Sequence, residues 1–228
     1  MRATGRHSGD TSDANARPGR GAVRRRDDGR LLRGRRTRAR LREAARSLIL
    51  EVGFDRATLR GIAERAGMGA SSIYRHLRSK EELLIWELAD LQGLAWTRFR
   101  AQDDRSAPTR ERVARFFAAQ HELLARNPDF TVIALRAATH PHEHAARDSL
   151  RLADRGIALL AEILQSGRKH GDLDPSVDLL AGANALYHVA TSARISWANG
   201  LLTEEGCRRA IEASVELLFR GIGRRENG

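Results

Sequence analysis

Residues Thr58 to Lys80 constrain this chain more than any other stretch. Leu59, Ile62, Ala63 and Ala66 fall at i, i+3, i+4 and i+7, the stripe of a short helix with one buried face. Thr58 can cap that helix with its hydroxyl, and Gly67 sits where a left-handed residue ends a helix without steric cost. Gly69-Ala70 then opens a second short helix with Ala70, Ile73 and Leu77 at i, i+3 and i+7. Two short helices joined by a glycine-containing turn make a helix-turn-helix. The second helix points Ser71, Ser72, Arg75 and His76 outward, with Tyr74 partly so and Lys80 just beyond. These are short and medium hydrogen-bond donors with no acid among them, suited to base edges and phosphates in a major groove. A helical hairpin with a merely solvated face is the alternative; the missing acids and the basic chain in front of it argue for nucleic acid.

The formal net charge of +11 is unevenly spread. Residues 1–40 hold thirteen Arg and four Asp, residues 41–80 a net of +4, and residues 81–228 a net of −2. A basic front and a near-neutral rear describe a nucleic-acid-binding head on a body with another task. Only Lys80 and Lys169 among the forty basic residues are lysine, so position argues more than arginine abundance does. The single Cys207 excludes an internal disulfide framework and fits a reducing cytoplasm. No secretory h-region and no membrane-length apolar window stand out, so a soluble cytoplasmic protein is expected.

Residues 1–36 are nearly devoid of apolar side chains before Leu31 and Leu32, which predicts a disordered Arg-rich arm, either inert or adding phosphate contacts. From Thr37 the pattern turns helical, with Leu41, Ala44, Ala45, Leu48, Ile49 and Val52 on one face and Gly53 as the stop. Ser79 to Glu82 reads as a capping box starting a long fourth helix to about Phe99. Pro108, Asn127-Pro128, His140-Pro141, Gly171 with Asp174-Pro175, and Asn199-Gly200 with Thr203 punctuate the rest into further helices. No run alternates apolar and polar residues as a strand does. The chain is expected to be all-α, about nine helices. The domains expected are an arm at 1–36, a three-helix DNA-binding domain at 37–84, and a helical body at 85–228.

The order Thr58-Leu-Arg-Gly-Ile-Ala, then Ala66-Gly67, then Ser72-Ile-Tyr-Arg-His-Leu-Arg-Ser-Lys-Glu-Glu-Leu-Leu84 resembles the DNA-binding signature of the TetR family of bacterial transcriptional regulators. The family typically has Tyr-x-His/Tyr-Phe-x-x-Lys-Glu-x-Leu where this chain runs from Tyr74 to Leu83, and Leu77 replaces the usual Phe on the buried side. The resemblance covers roughly residues 37–86. It implies a repressor that binds a palindromic operator as a homodimer and is released by a small, largely apolar ligand. It also implies phosphate binding by Thr58, Tyr74 and Lys80, with His76 close to the backbone, and base reading at Arg60, Ala70, Ser71 and Ser72. The alternative is a helix-turn-helix protein with no ligand response, a constitutive or architectural regulator.

The last two helices carry more apolar residues than one core-facing stripe needs, including Leu180, Val189, Leu217 and Leu218. A deeply central helix pair would explain that; so would the dimer through a four-helix bundle that the resemblance implies. A ligand cavity is likewise implied by the resemblance, with Trp96, Phe99, Phe117, His121 and Tyr187 as candidate lining, although core uses the same residue types. His140, His142 and His144 are zinc ligand types, but their spacing around Pro141 places them on an irregular loop, and no metal or cofactor is expected. No nucleophile motif, phosphate loop or carboxylate pair stands out, so the chain is not expected to be an enzyme.

Overall fold

A computed structural model describes residues 20–222 apart from 140 and 142, with side chains described from 33 to 221. The chain forms α1 (Arg20–Val52), α2 (Leu59–Arg65), α3 (Ala70–Ile73), α4 (Lys80–Gln102), α5 (Thr109–Ala125), α6 (Pro128–Thr139), α7 (Glu143–Lys169), α8 (Leu179–Ala198) and α9 (Glu204–Ile222). Among the described residues there is no strand, and no helix is long and apolar enough to cross a membrane.

The punctuation read from the sequence acts through identifiable bonds. Thr58 Oγ1 accepts the Gly61 N–H at 3.1 Å and starts α2. At the other end Met68 N–H reaches the Ala63 carbonyl at 2.9 Å and Gly67 N–H the Glu64 carbonyl at 3.0 Å. That is a Schellman stop; it requires Gly67 at φ +64°, where a Cβ would be strained. Ser79 accepts from the Glu82 N–H at 3.4 Å, as a capping box expects. The returning Glu82 carboxylate, however, takes the Arg78 N–H at 3.2 Å, so its side of the box is shifted back by one residue.

Three boundaries differ from the sequence reading. The first helix does not wait for Thr37; it already runs from Arg20, so residues 20–36 are helical where a disordered arm was expected. No proline falls between Pro18 and Pro108, and the arginines and leucines there are good helix formers that carry α1 across Gly21, Gly29 and Gly34. Residues 1–19 of the expected arm lie outside the described residues. Chain contacts divide the molecule into two compact units, 1–39 and 40–228, and the boundary falls inside α1. The expected division at residue 84 is not a break in packing, since one core cluster runs from Leu41 on α1 through Leu84 to Phe219 on α9. Asp174-Pro175 makes a turn, with Asp174 accepting from Ser176, and it is Asp178 that caps α8 through the Leu180 and Ala181 N–H groups at 2.9 and 3.1 Å.

Within residues 40–228, α4 is central: it packs against α5, α6 and α7, while α8 lies against α6, α7 and α9. The corner joining α4, α5 and α7 is polar and closed. Arg112 donates from Nε and Nη2 to the two Asp103 oxygens, each at 2.8 Å, and from Nη1 to Ser166 Oγ at 3.0 Å. Its side chain is 3% exposed and that of Asp103 5%.

Candidate nucleic-acid interface and body cavity

The reader is short. Only Ala70–Ile73 hold α-helical form, and the chain then continues in turns whose Leu77 N–H still reaches the Ile73 carbonyl at 2.9 Å. Ile73 and Leu77 are buried and fix this segment to the core formed with Ile62, Ala63 and the inner face of α1. The opposite side leaves Ser71, Tyr74, Arg75 and His76 exposed, with Ala70 and Ser72 half-buried. Arg75 donates to Ser72 Oγ at 2.8 Å, which draws the guanidinium over the reading positions. The sequence counted Arg75 among the outward donors without giving it a reading role; its contact with Ser72 sets it beside the positions expected to read bases.

Arg60 is exposed on α2 and pairs with Glu64 at 3.0 Å, a solvated i,i+4 pair that a phosphate or base edge can displace at little cost. Thr58 is exposed at the start of α2. Its oxygen serves the cap while its own proton stays available to a phosphate, since a hydroxyl both accepts and donates. Thr58, Arg60, Ser71, Tyr74 and His76 therefore sit on accessible surface at the helix-turn-helix.

Lys80 behaves differently from the phosphate contact that the resemblance implies. Its Nζ donates to the carbonyls of Phe54, Ala57 and Asp55 at 2.6, 3.2 and 3.3 Å, and lies 4.2 Å from the Phe54 ring centroid. An ammonium has three donors, and all three are engaged by the loop between α1 and α2. Lys80 thus clamps that loop to the first residue of α4. Lys80→Ala should destabilise the fold by on the order of 2 kcal/mol, because carbonyls lose their donor where the loop folds in. Arginine should not rescue it, since a planar fork cannot replace a compact ammonium among three carbonyls. The salt slope of DNA binding should stay unchanged; a slope lower by about one unit would restore Lys80 as a phosphate contact.

Helix α4 carries the reader into the body. Arg42 of α1 pairs with Glu87 at 3.7 Å and also with Asp90, and Trp86 Nε1 donates to Asp148 of α7 at 3.2 Å. Burial raises the Glu82 carboxyl above the usual carboxylate range, the Arg78 N–H pulls it back, and the nearby Asp148 charge raises it further.

Further along, α4 forms one wall of a cavity of about 130 Å³. Leu88, Leu91 and Gln92 come from α4, Gln120 and Leu124 from α5, Leu135 and Thr139 from α6, Ser149 and Leu152 from α7, and Tyr187, Thr191 and Arg194 from α8. Of the five lining residues expected from the sequence, Tyr187 alone is on this wall. Trp96, Phe99 and Phe116 form an aromatic cluster with tilted and edge-on rings 5.4–5.6 Å apart, and Trp96 and Phe99 border a separate polar cleft with Arg112 and Glu162. Phe117 and His121 border a slot between α5 and α9, where His121 Nε2 lies 2.7 Å from Glu204. Periodicity places all five on inward faces, yet which inward face meets a void depends on where neighbouring helices part. Arg194, Gln92 and Gln120 carry the polar side of the cavity, and no sequence signal distinguishes them from surface residues. His140 and His142 of the histidine run lie outside the described residues, and His144 is exposed.

The fold and exposed donor face define a helix-turn-helix regulator with a helical body. The model for bacterial regulatory proteins of the tetR family matches residues 41–85. Similar curated proteins include the transcriptional repressor KstR2 of Mycobacterium tuberculosis, 28% identical over 62% of this chain and 72% of that one. Another is KstR of Rhodococcus jostii, 26% identical over 82% of this chain and 85% of that one. Among solved structures, Thermus thermophilus FadR, a TetR-family repressor in complex with lauroyl-CoA, superposes with a TM-score of 0.70 at 22% identity, covering 83% of this chain and 96% of its own. Residues 41–85 thus match the DNA-binding domain of the tetR family, and the chain shares its fold with a TetR-family repressor.

Proposed function

We propose that this regulator represses transcription by binding a palindromic operator as a homodimer, and that a small, largely apolar ligand in the body cavity releases it. The observation that carries the reading is the span of α4. Its first residue clamps the loop in front of the reader, and its Leu88, Leu91 and Gln92 wall the cavity. A ligand that favours one setting of α4 therefore biases the position of the reader, and linkage weakens DNA binding by the ligand's differential affinity for the two settings. Thr58, Tyr74 and His76 hold the phosphate backbone in this reading, while Arg60, Ala70, Ser71 and Ser72, joined by Arg75, face base edges. Alanine and two serines make a sparse direct code, leaving a share of specificity to DNA shape. Relatives named as repressors support the first half of the proposal, and a neighbour of the same fold solved with an acyl-CoA is in keeping with a body that takes a ligand.

Fluorescence anisotropy with DNA from upstream of the protein's own gene tests it. Wild type should prefer that DNA over random sequence, and Tyr74→Phe should weaken binding to both alike, since a phosphate contact carries no sequence information. Equal affinity for upstream and random DNA at all salt concentrations would leave a non-specific binder in place of an operator-reading repressor.

A further inference from the structure

Five side-chain polar atoms among the described residues are closed to solvent without a hydrogen-bond partner, and three of them, Gln92 Oε1, Ser149 Oγ and Arg194 Nε, belong to residues lining the α4–α8 cavity. Buried polar groups are normally satisfied, and three exceptions around one void mark the place of something that satisfies them. Arg194 is the decisive member. Its Nη2 donates to the neutral Gln120 Oε1 at 2.8 Å, and its guanidinium carbon lies 5.8 Å from the Phe117 ring centroid. Among the described residues no carboxylate lines the cavity, and Arg194 is the one charged group on its wall. Burial also depresses the guanidinium's proton affinity, the mark of a cation held without a counter-ion. A half-buried guanidinium with its Nε closed to solvent and only neutral groups around it gains most from an anion with two oxygens, which matches its planar fork.

The wall is built to bring polar groups together. A Cβ on Gly156 of α7 would meet Gln92 Nε2 at 2.7 Å and the Tyr187 ring at 2.8 Å, so the glycine leaves room for both. Leu88, Leu124, Leu135 and Leu152 supply apolar lining. A dry cavity of about 150 Å³ holds a benzene-sized guest, so this one, of about 130 Å³, suits a small apolar body.

We infer that the inducer is a small apolar monocarboxylate, its carboxylate paired with Arg194 and its body against the cavity leucines. This rests on the reading of the cavity as the ligand site and adds the charge of the ligand to it. A free acid satisfies Arg194, whereas the acyl group of a thioester has no charge to offer there.

Isothermal titration and thermal shift with benzoate, benzyl alcohol, benzylamine and benzoyl-CoA test the inference, using the full chain with and without operator DNA. Benzoate should bind, raise the melting temperature and release DNA, with benzyl alcohol weaker and benzylamine without effect. Arg194→Met should fold at least as stably as wild type without ligand, because a cation with no counter-ion is replaced by an apolar chain of similar length. That variant should bind benzoate about 10- to 100-fold more weakly, the worth of a charge-assisted hydrogen bond, and benzyl alcohol no worse. Benzyl alcohol or benzoyl-CoA binding more tightly than benzoate, or benzoate binding that Arg194→Met leaves unchanged, would overturn the anion and leave the cavity as the ligand site. Absence of binding by all four probes would overturn the inference and the cavity reading together.

Discussion

Replacing Arg112 by alanine should cost about 3–5 kcal/mol of stability, much of the roughly 5–15 kcal/mol that holds a typical domain folded. Asp103 would remain 5% exposed at the end of α4 with no cation opposite it, and Ser166 of α7 would lose its donor. The penalty arises less from the lost attraction than from the carboxylate left dry. Arg112→Leu combined with Asp103→Leu should therefore recover most of the loss, because neither charge is then stranded. Urea unfolding of the two variants decides it. A loss below about 1 kcal/mol for Arg112→Ala would mean that water reaches the pair and that it acts as a surface ion pair does. The same corner joins α4, α5 and α7, three helices that wall the cavity proposed to take the ligand.

The second large effect concerns the proposed dimer. One reader makes too few contacts for tight binding, whereas two on a two-fold body match the two halves of a palindrome. The apolar surplus of the last two helices proves narrower than periodicity indicates. Ala183, Leu186, Ala190 and Trp197 of α8, and Ile211, Val215 and Phe219 of α9, are absorbed by the protein's own core, and Leu218 packs half-buried against it. Leu180 and Leu217 remain outside at 60% and 70% exposure, with Leu201 in the connecting turn at 77%. Leu217 is thus the place for a test charge, because Leu218→Glu would disturb the subunit as well as the contact. In the proposed bundle Leu217→Glu buries an unpaired carboxylate, at about 3–5 kcal/mol. The variant should keep its helical content, sediment as a monomer and lose operator binding, although residue 217 is far in sequence from the reader. Sedimentation of wild type as a monomer at micromolar concentration, with tight binding to a palindromic site, would refute the dimer.

Local chemistry made much of this protein legible in advance. Thr58, Gly67, Ser79, Asn127-Pro128 and Thr203 mark helix ends where the structure has them, because a cap depends on residues within one turn. The exposed donor face of the reader follows from the period of a helix and from the absence of acids between Ser71 and Lys80. Where two local signals compete, the outcome already depends on packing: Asp174-Pro175 and Asp178 can each cap a helix, and α8 uses the latter.

Tertiary structure decided the rest. Lys80 is a cation beside a DNA-binding motif by sequence, and the loop from Phe54 to Ala57 that occupies its donors lies 23 to 26 residues away. Trp96, Phe99, Phe117 and His121 share the periodicity of Tyr187, yet only Tyr187 meets the cavity, since a void forms where five helices diverge and no single helix encodes that divergence. Arg194 reads as one arginine among many until Gln120, 74 residues earlier, and the Phe117 ring enclose it. Caps and periods are properties of one turn of chain and are written in adjacent residues. Cavities, buried charges and clamps are properties of the space between helices, and they exist only once those helices have met.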